Sequence, residues 1–426
     1  MKIVRLIIIV VFFAISGKAQ IGYLNYDKMH IGQEVSAHSA RMLGLAGSGL
    51  ALQGAYGQGV VNPALIVSAQ KGFGFKAGFA VNKLIENREY PYYDSFVGFN
   101  DYGSYAYNAH WYYKAYFALR FSAKAPWGSW FALQAGFTPL LDFRYDYTEE
   151  VRDPVAKSDQ LLGYNWISQD GVMNMGYLAL GYQVFPKWTL GLTLGMVRGS
   201  IDSTEQIEPK ISGAFLSRSS TQRSRTLQRT PLVVSLGTHY QLTDRLGLAA
   251  SVRLPFSLSF DGKVKSSSDS AWTSYNEKLT YPLRLGTGFD YRFQNILQAR
   301  VFADFYYEFW SHFKDSRTTH RSFRDTYTIR AGIEHIFFDK LPFRVGFAFN
   351  QLPQNPDLTK TLLTVGTGWK IGPADLDAAA GIVHQQFFQP DIFPDTIYGL
   401  PARTDLDRVT WTSYFLRLDV SYHFFD

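Results

Sequence analysis

The sequence predicts an all-β fold: a fourteen-stranded antiparallel transmembrane β-barrel with an N-terminal hatch (plug) inside the lumen. Three features predict it. From residue 72 onward apolar and polar side chains alternate with a period of two, which places them on opposite faces of a strand. The alternating segments are even in number. Their connections are short and long in strict alternation, as in outer-membrane barrels with short periplasmic turns and long external loops.

The first 19 residues are predicted to be a cleaved secretory signal peptide. Two cations precede an apolar run at 6–15, which is too short to cross a bilayer, and small residues stand at the spacing needed for cleavage before Gln20. Together with a barrel, this export signal predicts the outer membrane of a Gram-negative bacterium.

The segment between the signal peptide and the first strand is apolar and rich in glycine. It contains "LGLAGSGLALQGAYGQG" and then "VVNPALI", where the Asn-Pro pair predicts a turn. Such a segment has a natural place inside a barrel, with Asn62, Pro63 and Ala64 buried against the wall. The chain is therefore divided into a signal peptide (1–19), a hatch (20–71) and a barrel (72–426).

The predicted strands show which side chains share a face. In 246–261, for example, Leu248, Val252 and Phe256 fall on one face and Arg253 on the other. The fourteen predicted strands are 72–82, 111–123, 129–147, 170–185, 188–202, 229–242, 246–264, 277–293, 296–311, 325–338, 342–351, 360–372, 374–390 and 409–425.

A soluble β-sandwich is the alternative, because its strands alternate in the same way. Two features favour the membrane barrel. Many segments exceed ten residues, enough for a tilted strand to cross a bilayer. Charges are confined to one face, and a cation facing lipid costs about 2–4 kcal/mol. Aromatic residues near strand ends fit the interfacial girdles of such a barrel: Trp127, Trp188, Trp369, Trp411, Tyr422 and Phe424.

Charged side chains on neighbouring late strands are predicted to face the lumen. We interpret them as a lumen charge network that holds the interior together; a proton-transfer site is the alternative. The network consists of Arg300, Asp304, Glu308, Arg330 and Glu334. Period two places Phe305 and its odd-numbered neighbours on the lipid face.

The composition argues against several other functions. Without cysteine the chain has no disulfide, thiolate metal site or lipoprotein anchor, and its nine scattered histidines predict no metal site. The net charge of +6 falls to 6 − 3 = +3 once the signal peptide is removed, so nucleic acid is not an expected partner. No catalytic constellation and no cofactor motif is present, so we expect no enzyme activity and no cofactor.

Residues 85–110 and 203–228 are predicted to be loops. The second is rich in Ser and Arg, and with Arg229 it forms a basic cluster expected to face outward. Arg has the planar fork that suits lipopolysaccharide phosphates, so outer-membrane lipid and lipopolysaccharide are expected partners. A mobile surface loop is the alternative and is favoured by the composition.

The hatch segment "SARMLGLAGSGLALQGAYGQGVVNPALI" resembles the N-terminal hatch of the FadL/OMPP1/TodX family, which ends in an Asn-Pro-Ala motif. Later segments, above all "ARVFADFYYEFWS", resemble that family's late strands. The resemblance implies a fourteen-stranded monomeric barrel for passive import of hydrophobic small molecules, such as long-chain fatty acids. The family also includes PorV-like barrels of type IX secretion. The alternative is therefore a protein-binding barrel of an outer-membrane secretion or assembly machine.

The third predicted strand, "GSWFALQAGFTPLLDFRYDY", carries a proline in its interior. Proline lacks the N–H that a ladder needs, and Gly136 would ease a bend near Pro139. In the resembled family an inward kink of the third strand opens a lateral window. We therefore predict a gap in the wall near Gly136 and Pro139, touching the hatch. The alternative is that Pro139 only ends the transmembrane part of the strand, or that its nitrogen sits at a position without a ladder hydrogen bond.

Overall fold

The computed structural model describes residues 29–35, 37–54, 57–68, 72–94, 96, 98–153, 160–210, 218–294, 299–318, 323–338 and 341–424. The predicted signal peptide and its cleavage site lie outside these residues. The described residues form strands β1 (Gln33–Glu34), β2 (Gly72–Tyr93), β3 (Phe99–Lys124), β4 (Trp130–Asp142), β5 (Tyr145–Arg152), β6 (Leu161–Asp170), β7 (Val172–Phe185), β8 (Trp188–Arg198), β9 (Ser200–Pro209), β10 (Ser219–Leu227), β11 (Leu232–Gln241), β12 (Leu246–Arg253), β13 (Phe256–Ser266), β14 (Thr273–Tyr281), β15 (Arg284–Arg292), β16 (Arg300–Glu308), β17 (Lys314–Asp315), β18 (Thr326–Phe337), β19 (Leu341–Leu352), β20 (Asn355–Ile371), β21 (Ala374–Gln389) and β22 (Asp407–His423).

Fourteen of these strands form a closed antiparallel ring. Their order is β4-β3-β2-β22-β21-β20-β19-β18-β16-β15-β12-β11-β8-β7, and pairing of β7 with β4 closes it. Closure leaves the ring without an open edge, which a sheet surrounded by lipid requires. The predicted fold class, a fourteen-stranded barrel, is confirmed.

Seven ring strands bend at the end with the long connections and continue as a second sheet, ordered β17-β14-β13-β10-β9-β6-β5. The bends contain residues that suit a break in a ladder, among them Gly171, Gly199, Pro255 and Pro282. A Cβ on Gly171 would lie 2.9 Å from the Ser200 carbonyl oxygen, so close approach of two strands requires glycine there.

The prediction of loops at 85–110 and 203–228 is wrong. Strand β2 continues to Tyr93 and β3 begins at Phe99, while β9 and β10 occupy most of the second region. These parts of the strands lie beyond the ends of the predicted strands. An apolar face is required only where a strand faces lipid, so a strand that continues outside the bilayer need not keep the period of two.

The two faces of the ring differ as the alternation requires. On β22, for example, Leu416 and Leu418 are exposed, whereas Arg417 and Asp419 are buried in the lumen. The placement of Trp411 in an outer girdle is wrong. It shares the inner face of β22, and its indole N–H donates to the Glu86 carboxylate at 2.8 Å.

The hatch lies inside the ring. It contains helix α1 (Ala40–Gly44), helix α2 (Gln58–Val61) and a 3₁₀ helix (Pro63–Ser68). Helix α1 contacts β19 to β22, and the 3₁₀ helix contacts β4, β7, β8 and β11, so the hatch spans the lumen. Among the described residues, no helix is both long and apolar enough to cross a membrane. The domain boundaries at residues 19 and 71 stay predictions.

The basic cluster at 218–229 is only partly external. Arg225 is buried and turns inward: it donates to the Met29 carbonyl at 3.0 Å and lies 3.5 Å from Glu277. The prediction that the Arg225 side chain faces outward is therefore wrong. Strand β10 pairs with β13 and β9, and Arg225 lies on the face of this sheet that is buried. Arg223 pairs with Glu205 at the surface at 2.6 Å.

A buried carboxyl group lies in the second sheet. Glu149 accepts hydrogen bonds from the Tyr147 hydroxyl at 2.5 Å and the Asn165 amide at 2.6 Å. Burial, assisted by the negative charge of Asp391, raises the pKa of Glu149 to about 8. The group is therefore largely protonated at neutral pH.

Candidate transport site

Asn62 joins the hatch to the wall. Its side-chain amide donates to the Leu50 carbonyl at 2.8 Å and to the Thr238 carbonyl of β11 at 3.1 Å. Its side-chain oxygen accepts from the Ala64 N–H at 3.2 Å, which bridges the turn at Pro63. Asn62 and Ala64 are fully buried. One side chain thus satisfies three backbone groups that the turn leaves without regular partners.

Glycines on the inner face of the wall make room for the hatch backbone. A Cβ on Gly237 would lie 2.1 Å from the Asn62 side-chain oxygen, and one on Gly191 would lie 2.3 Å from the Ala64 nitrogen. On the opposite wall, a Cβ on Gly346 would lie 2.3 Å from the Ala46 nitrogen. The hatch therefore docks by close backbone contact, which only glycine allows.

Two of the predicted lumen charges bind the backbone of the hatch turn at 47–50. The Asp304 carboxylate accepts from the Gly49 N–H at 2.7 Å and the Leu50 N–H at 3.1 Å. The Arg330 guanidinium donates to the Gly47 carbonyl at 3.1 Å. Both side chains are buried, so these charge-assisted bonds hold the turn against β16 and β18.

The other three predicted charges pair with residues outside the predicted set, and the role of the five charges as a network that holds the interior together stays a prediction. Arg300 pairs with Asp290 of the adjacent β15 at 2.8 Å. Glu308 lies 3.7 Å from both Arg253 and Arg284. Glu334 accepts from Arg41 of α1 at 2.7 and 2.9 Å and from Arg344 at 2.7 Å. The charges thus form separate local groups, and hatch residues belong to two of them. Arg41 pairs with Glu334, and Glu34 pairs with Arg253 and Arg284 beside Glu308.

No pattern in the sequence indicates Glu34 as a site residue. It lies on β1, accepts from Arg253 at 2.7 and 3.1 Å, and also pairs with Arg284. The wall glycines were missed as well. Their repeated occurrence on the inner face, as in "GLTLG" and "TVGTGW", was the signal that could have found them.

A cavity of about 290 Å³ lies between the hatch strand β1 and the wall. This volume is at the lower end of the range for small-molecule sites. Apolar and aromatic side chains provide most of the lining surface, but charged and amide side chains of the hatch and the wall line it as well. The lining includes Ile31, Val35, Leu43, Tyr112, Tyr116, Pro139, Trp411, Phe415, Glu34, Glu308, Lys114, Arg284, Arg330, Lys360 and Arg417. The cavity therefore has the chemistry of a site for a hydrophobic molecule.

A second cavity, of about 940 Å³, lies at the end of the ring with the short turns. Its lining is more polar and includes Arg41, Lys76 and Asp377. Helix α1 contributes Leu43 to the first cavity and Arg41 to the second, so this helix lies between them.

The ladder between β3 and β4 ends inside the ring. Its last pair is Phe117 with Phe137, although β3 continues on the other side of that position, paired with β2. Beyond Phe137, strand β4 keeps its pairing with β7, with a register shift after Pro139. Strand β4 also pairs with the hatch strand β1, and among the described residues β3 has no ladder partner on this side beyond Phe117.

The structure places Gly136 and Pro139 on the two sides of this point. Gly136 is still paired with Ala118, and a Cβ there would lie 2.7 Å from the Phe117 carbonyl oxygen. Pro139 lies beyond the last pair and lines the 290 Å³ cavity. Side chains bridge the interval: Lys114 pairs with Asp142 at 2.8 Å, and Arg144 donates to the Tyr113 carbonyl at 3.1 Å.

A closed ring of fourteen antiparallel strands with an N-terminal hatch in its lumen defines the class of plugged outer-membrane β-barrels. Residues 29–393 match the family model for outer membrane protein transport protein (OMPP1/FadL/TodX). The match covers most of the chain, so the protein belongs to this family, as the hatch motif predicted. No curated protein matches the sequence.

Solved structures share this fold. A FadL homologue from Pseudomonas aeruginosa and the toluene transporter TodX from P. putida each superpose with a TM-score of 0.64 at 15% identity, covering 92% of this chain and 100% of theirs. The toluene transporter TbuX from Ralstonia pickettii gives a TM-score of 0.58 at 15% identity, with 92% and 99% covered. At this identity the likeness establishes the fold.

Proposed function

We propose that this protein imports hydrophobic small molecules passively across the outer membrane, through a hatch-gated barrel with a lateral opening at its third ring strand, β4. The observation that carries the proposal is a coincidence of three features at Pro139. There the β3–β4 ladder has ended, the hatch strand pairs with β4, and the apolar cavity reaches the wall.

The route follows from what blocks the lumen. Helix α1 and its ion pair between Arg41 and Glu334 stand between the apolar cavity and the short-turn end. An apolar molecule in the cavity lies beside Pro139, where no ladder hydrogen bond to β3 has to be broken. Exit through the wall keeps such a molecule out of the polar cavity below, since transfer of apolar surface into water is unfavourable.

Two other findings support a hydrophobic substrate. The family model describes an outer-membrane transport protein, and two structures with this fold are named toluene transporters. Long-chain fatty acids and aromatic hydrocarbons both fit the chemistry of the cavity. The driving force is the concentration gradient of the substrate.

Uptake by the full-length protein in liposomes tests the lateral route. The Pro139→Val variant restores a backbone N–H and a strand-forming side chain beside β3, so we expect several-fold slower uptake of radiolabelled oleate and of toluene. Pro186→Val, in an exposed turn, is the matched control and is expected to keep the wild-type rate. Unchanged uptake by the Pro139→Val variant would refute the lateral route.

A second function, a protein-binding barrel of a secretion or assembly machine, is favoured by the tip of the β2–β3 hairpin. Tyr92, Tyr93, Phe96 and Phe99 are exposed there, and Phe96 is 90% exposed. Aromatic side chains are enriched at protein interfaces. Replacing these four residues by serine separates the two functions. Transport without a partner predicts unchanged uptake and unchanged complex size in native membranes, whereas the partner function predicts loss of a complex.

A further inference from the structure

His30, Glu277 and Asp315 converge on the external side of the barrel, although they are far apart in the sequence. His30 precedes the hatch strand β1, Glu277 lies on β14, and Asp315 lies on β17. The His30 Nε2 atom lies 2.5 Å from an Asp315 carboxylate oxygen and 3.8 Å from a Glu277 carboxylate oxygen. One ligand atom from each residue falls within 4.8 Å of the others.

Glu277 provides an independent indication of a missing ligand. Its side chain is only 2% exposed, yet the oxygen that faces His30, Oε1, has no hydrogen-bond partner among the residues that the structure describes. The other oxygen lies 3.5 Å from Arg225. A buried carboxylate oxygen without a partner costs free energy, and a bound cation removes that cost.

We infer that His30, Glu277 and Asp315 form a binding site for a divalent transition-metal cation of the Zn²⁺ type. The mixture of one imidazole and two carboxylates favours such a cation over Ca²⁺ or Mg²⁺, which prefer oxygen ligands alone. With bonds of about 2.0–2.2 Å, ligand atoms around Zn²⁺ lie roughly 3–4 Å apart. The distance from His30 to Glu277 fits this spacing, and Asp315 has to move outward by about 1 Å.

The site has an entry path and a suitable charge. His30 and Asp315 line a cavity of about 460 Å³ that also includes Phe313 and Phe323. The two carboxylates carry two negative charges, of which Arg225 balances one. Lys278 and Lys314 also line the cavity, so a cation has to pass near them. Zn²⁺ would bind the lone pair of the His30 Nε2 atom and displace its hydrogen bond to Asp315; the neutral imidazole then carries its proton on Nδ1, and a second proton, where the ring holds one, is released to solvent.

The bound cation would join the start of the hatch to two strands of the second sheet. Met29 and Ile31 already bind this sheet: Met29 accepts from Arg225 at 3.0 Å, and Ile31 accepts from Tyr281 at 2.6 Å. The metal therefore fixes a segment that is anchored on both sides of His30. This inference does not depend on the substrate or on the lateral opening.

Zn²⁺ titration of the full chain in detergent, after treatment with a chelator, tests the inference. We expect one Zn²⁺ per chain by calorimetry, and Co²⁺ substitution should produce visible d–d absorption. His30→Ala and the more conservative Asp315→Asn should each lower the affinity at least 10-fold and remove the Co²⁺ spectrum. His384→Ala, which changes an exposed histidine outside the cluster, is the matched control and should bind normally.

The outcomes separate cleanly. Stoichiometric binding that both cluster variants lose, and the control keeps, supports the site. No binding by the wild-type chain overturns the inference, and so does binding that survives in Asp315→Asn and His30→Ala. If His30→Ala fails to fold, as seen by loss of the heat-shifted band on gels, the Asp315→Asn result decides.

Discussion

Replacing Gly237 by alanine is expected to undock the hatch from the wall. Gly237 lies on the inner face of β11, beneath the turn that contains Asn62 and Pro63. An added Cβ would lie 2.1 Å from the Asn62 side-chain oxygen and 2.9 Å from Pro63 Cδ. Neither neighbour is the end of a long flexible chain, so the turn itself has to move.

The size of the effect follows from the contacts that this movement breaks. Ordinary contact requires about 3.5 Å, so Asn62 must retreat by more than 1 Å. That movement lengthens its hydrogen bonds to the Leu50 and Thr238 carbonyls, now 2.8 and 3.1 Å. Weakening the two hydrogen bonds costs about 1 kcal/mol each, and buried polar groups left unpaired cost a further 1–3 kcal/mol. Replacing a glycine within a strand offsets about 1 kcal/mol of this loss. The net loss is about 2–4 kcal/mol, or roughly 30- to 900-fold in the opening equilibrium.

Thiol labelling measures this opening directly. The chain has no cysteine, so a Ser48→Cys background places a single thiol in the hatch. Ser48 is fully buried and its hydroxyl has no hydrogen-bond partner within the described part of the chain, so replacing its oxygen by sulfur breaks no described hydrogen bond and is nearly isosteric. When opening is fast relative to labelling, the maleimide reaction rate follows the open population. We expect the rate in Gly237→Ala to rise roughly 30- to 900-fold.

Gly176→Ala is the matched control, because Gly176 faces outward from β7 and its added Cβ has no atom within 4 Å. This variant should label at the wild-type rate. Equal labelling rates in the two glycine variants would refute the inference that close backbone contact at the wall glycines holds the hatch.

Two further predictions concern buried charge. Glu334→Gln removes the carboxylate shared by Arg41 and Arg344, so we expect the free energy of unfolding, measured with urea in lipid vesicles, to fall by about 3 kcal/mol. The control Glu150→Gln changes an exposed carboxylate and should lower this free energy by less than about 1 kcal/mol. An equal effect of both variants would contradict the reasoning. The second concerns pH. Because the pKa of Glu149 is raised to about 8, its stabilising contribution is fully present below about pH 4.5 and is lost as the pH rises through 8. The urea midpoint of unfolding should therefore decrease as the pH is raised from about 4.5 to 8, and Glu149→Gln should flatten that decrease; equal slopes for both proteins would count against this reasoning.

Local alternation was sufficient to locate the strands of the ring. Each of the fourteen predicted segments corresponds to one ring strand, because lipid on one side and the lumen on the other impose a period of two. The same reasoning failed at 85–110 and 203–228. There the strands continue beyond their predicted ends. A strand face that is exposed to water does not need to be apolar, so the period of two is not required.

Partners in the lumen could not be predicted in this way. Period two places Asp304 and Phe305 on opposite faces, and in the structure Asp304 binds the hatch while Phe305 is exposed. The period of two does not predict that Asp304 accepts a hydrogen bond from the Gly49 N–H, 255 positions earlier in the chain, or that Glu334 binds Arg41. Each charge has several candidates on neighbouring strands, and the position of the hatch decides among them.

The sequence by itself determined the class of fold, the number of ring strands, the resemblance carried by the hatch motif and the face on which most strand residues lie. These properties follow from local alternation and composition, which a window of about ten residues contains. Only the tertiary structure decided where the β3–β4 ladder ends, which glycines receive the hatch, and that His30 lies beside Glu277 and Asp315. These contacts join residues such as Asn62 and Thr238, 176 positions apart, and they form only when the ring closes around the hatch.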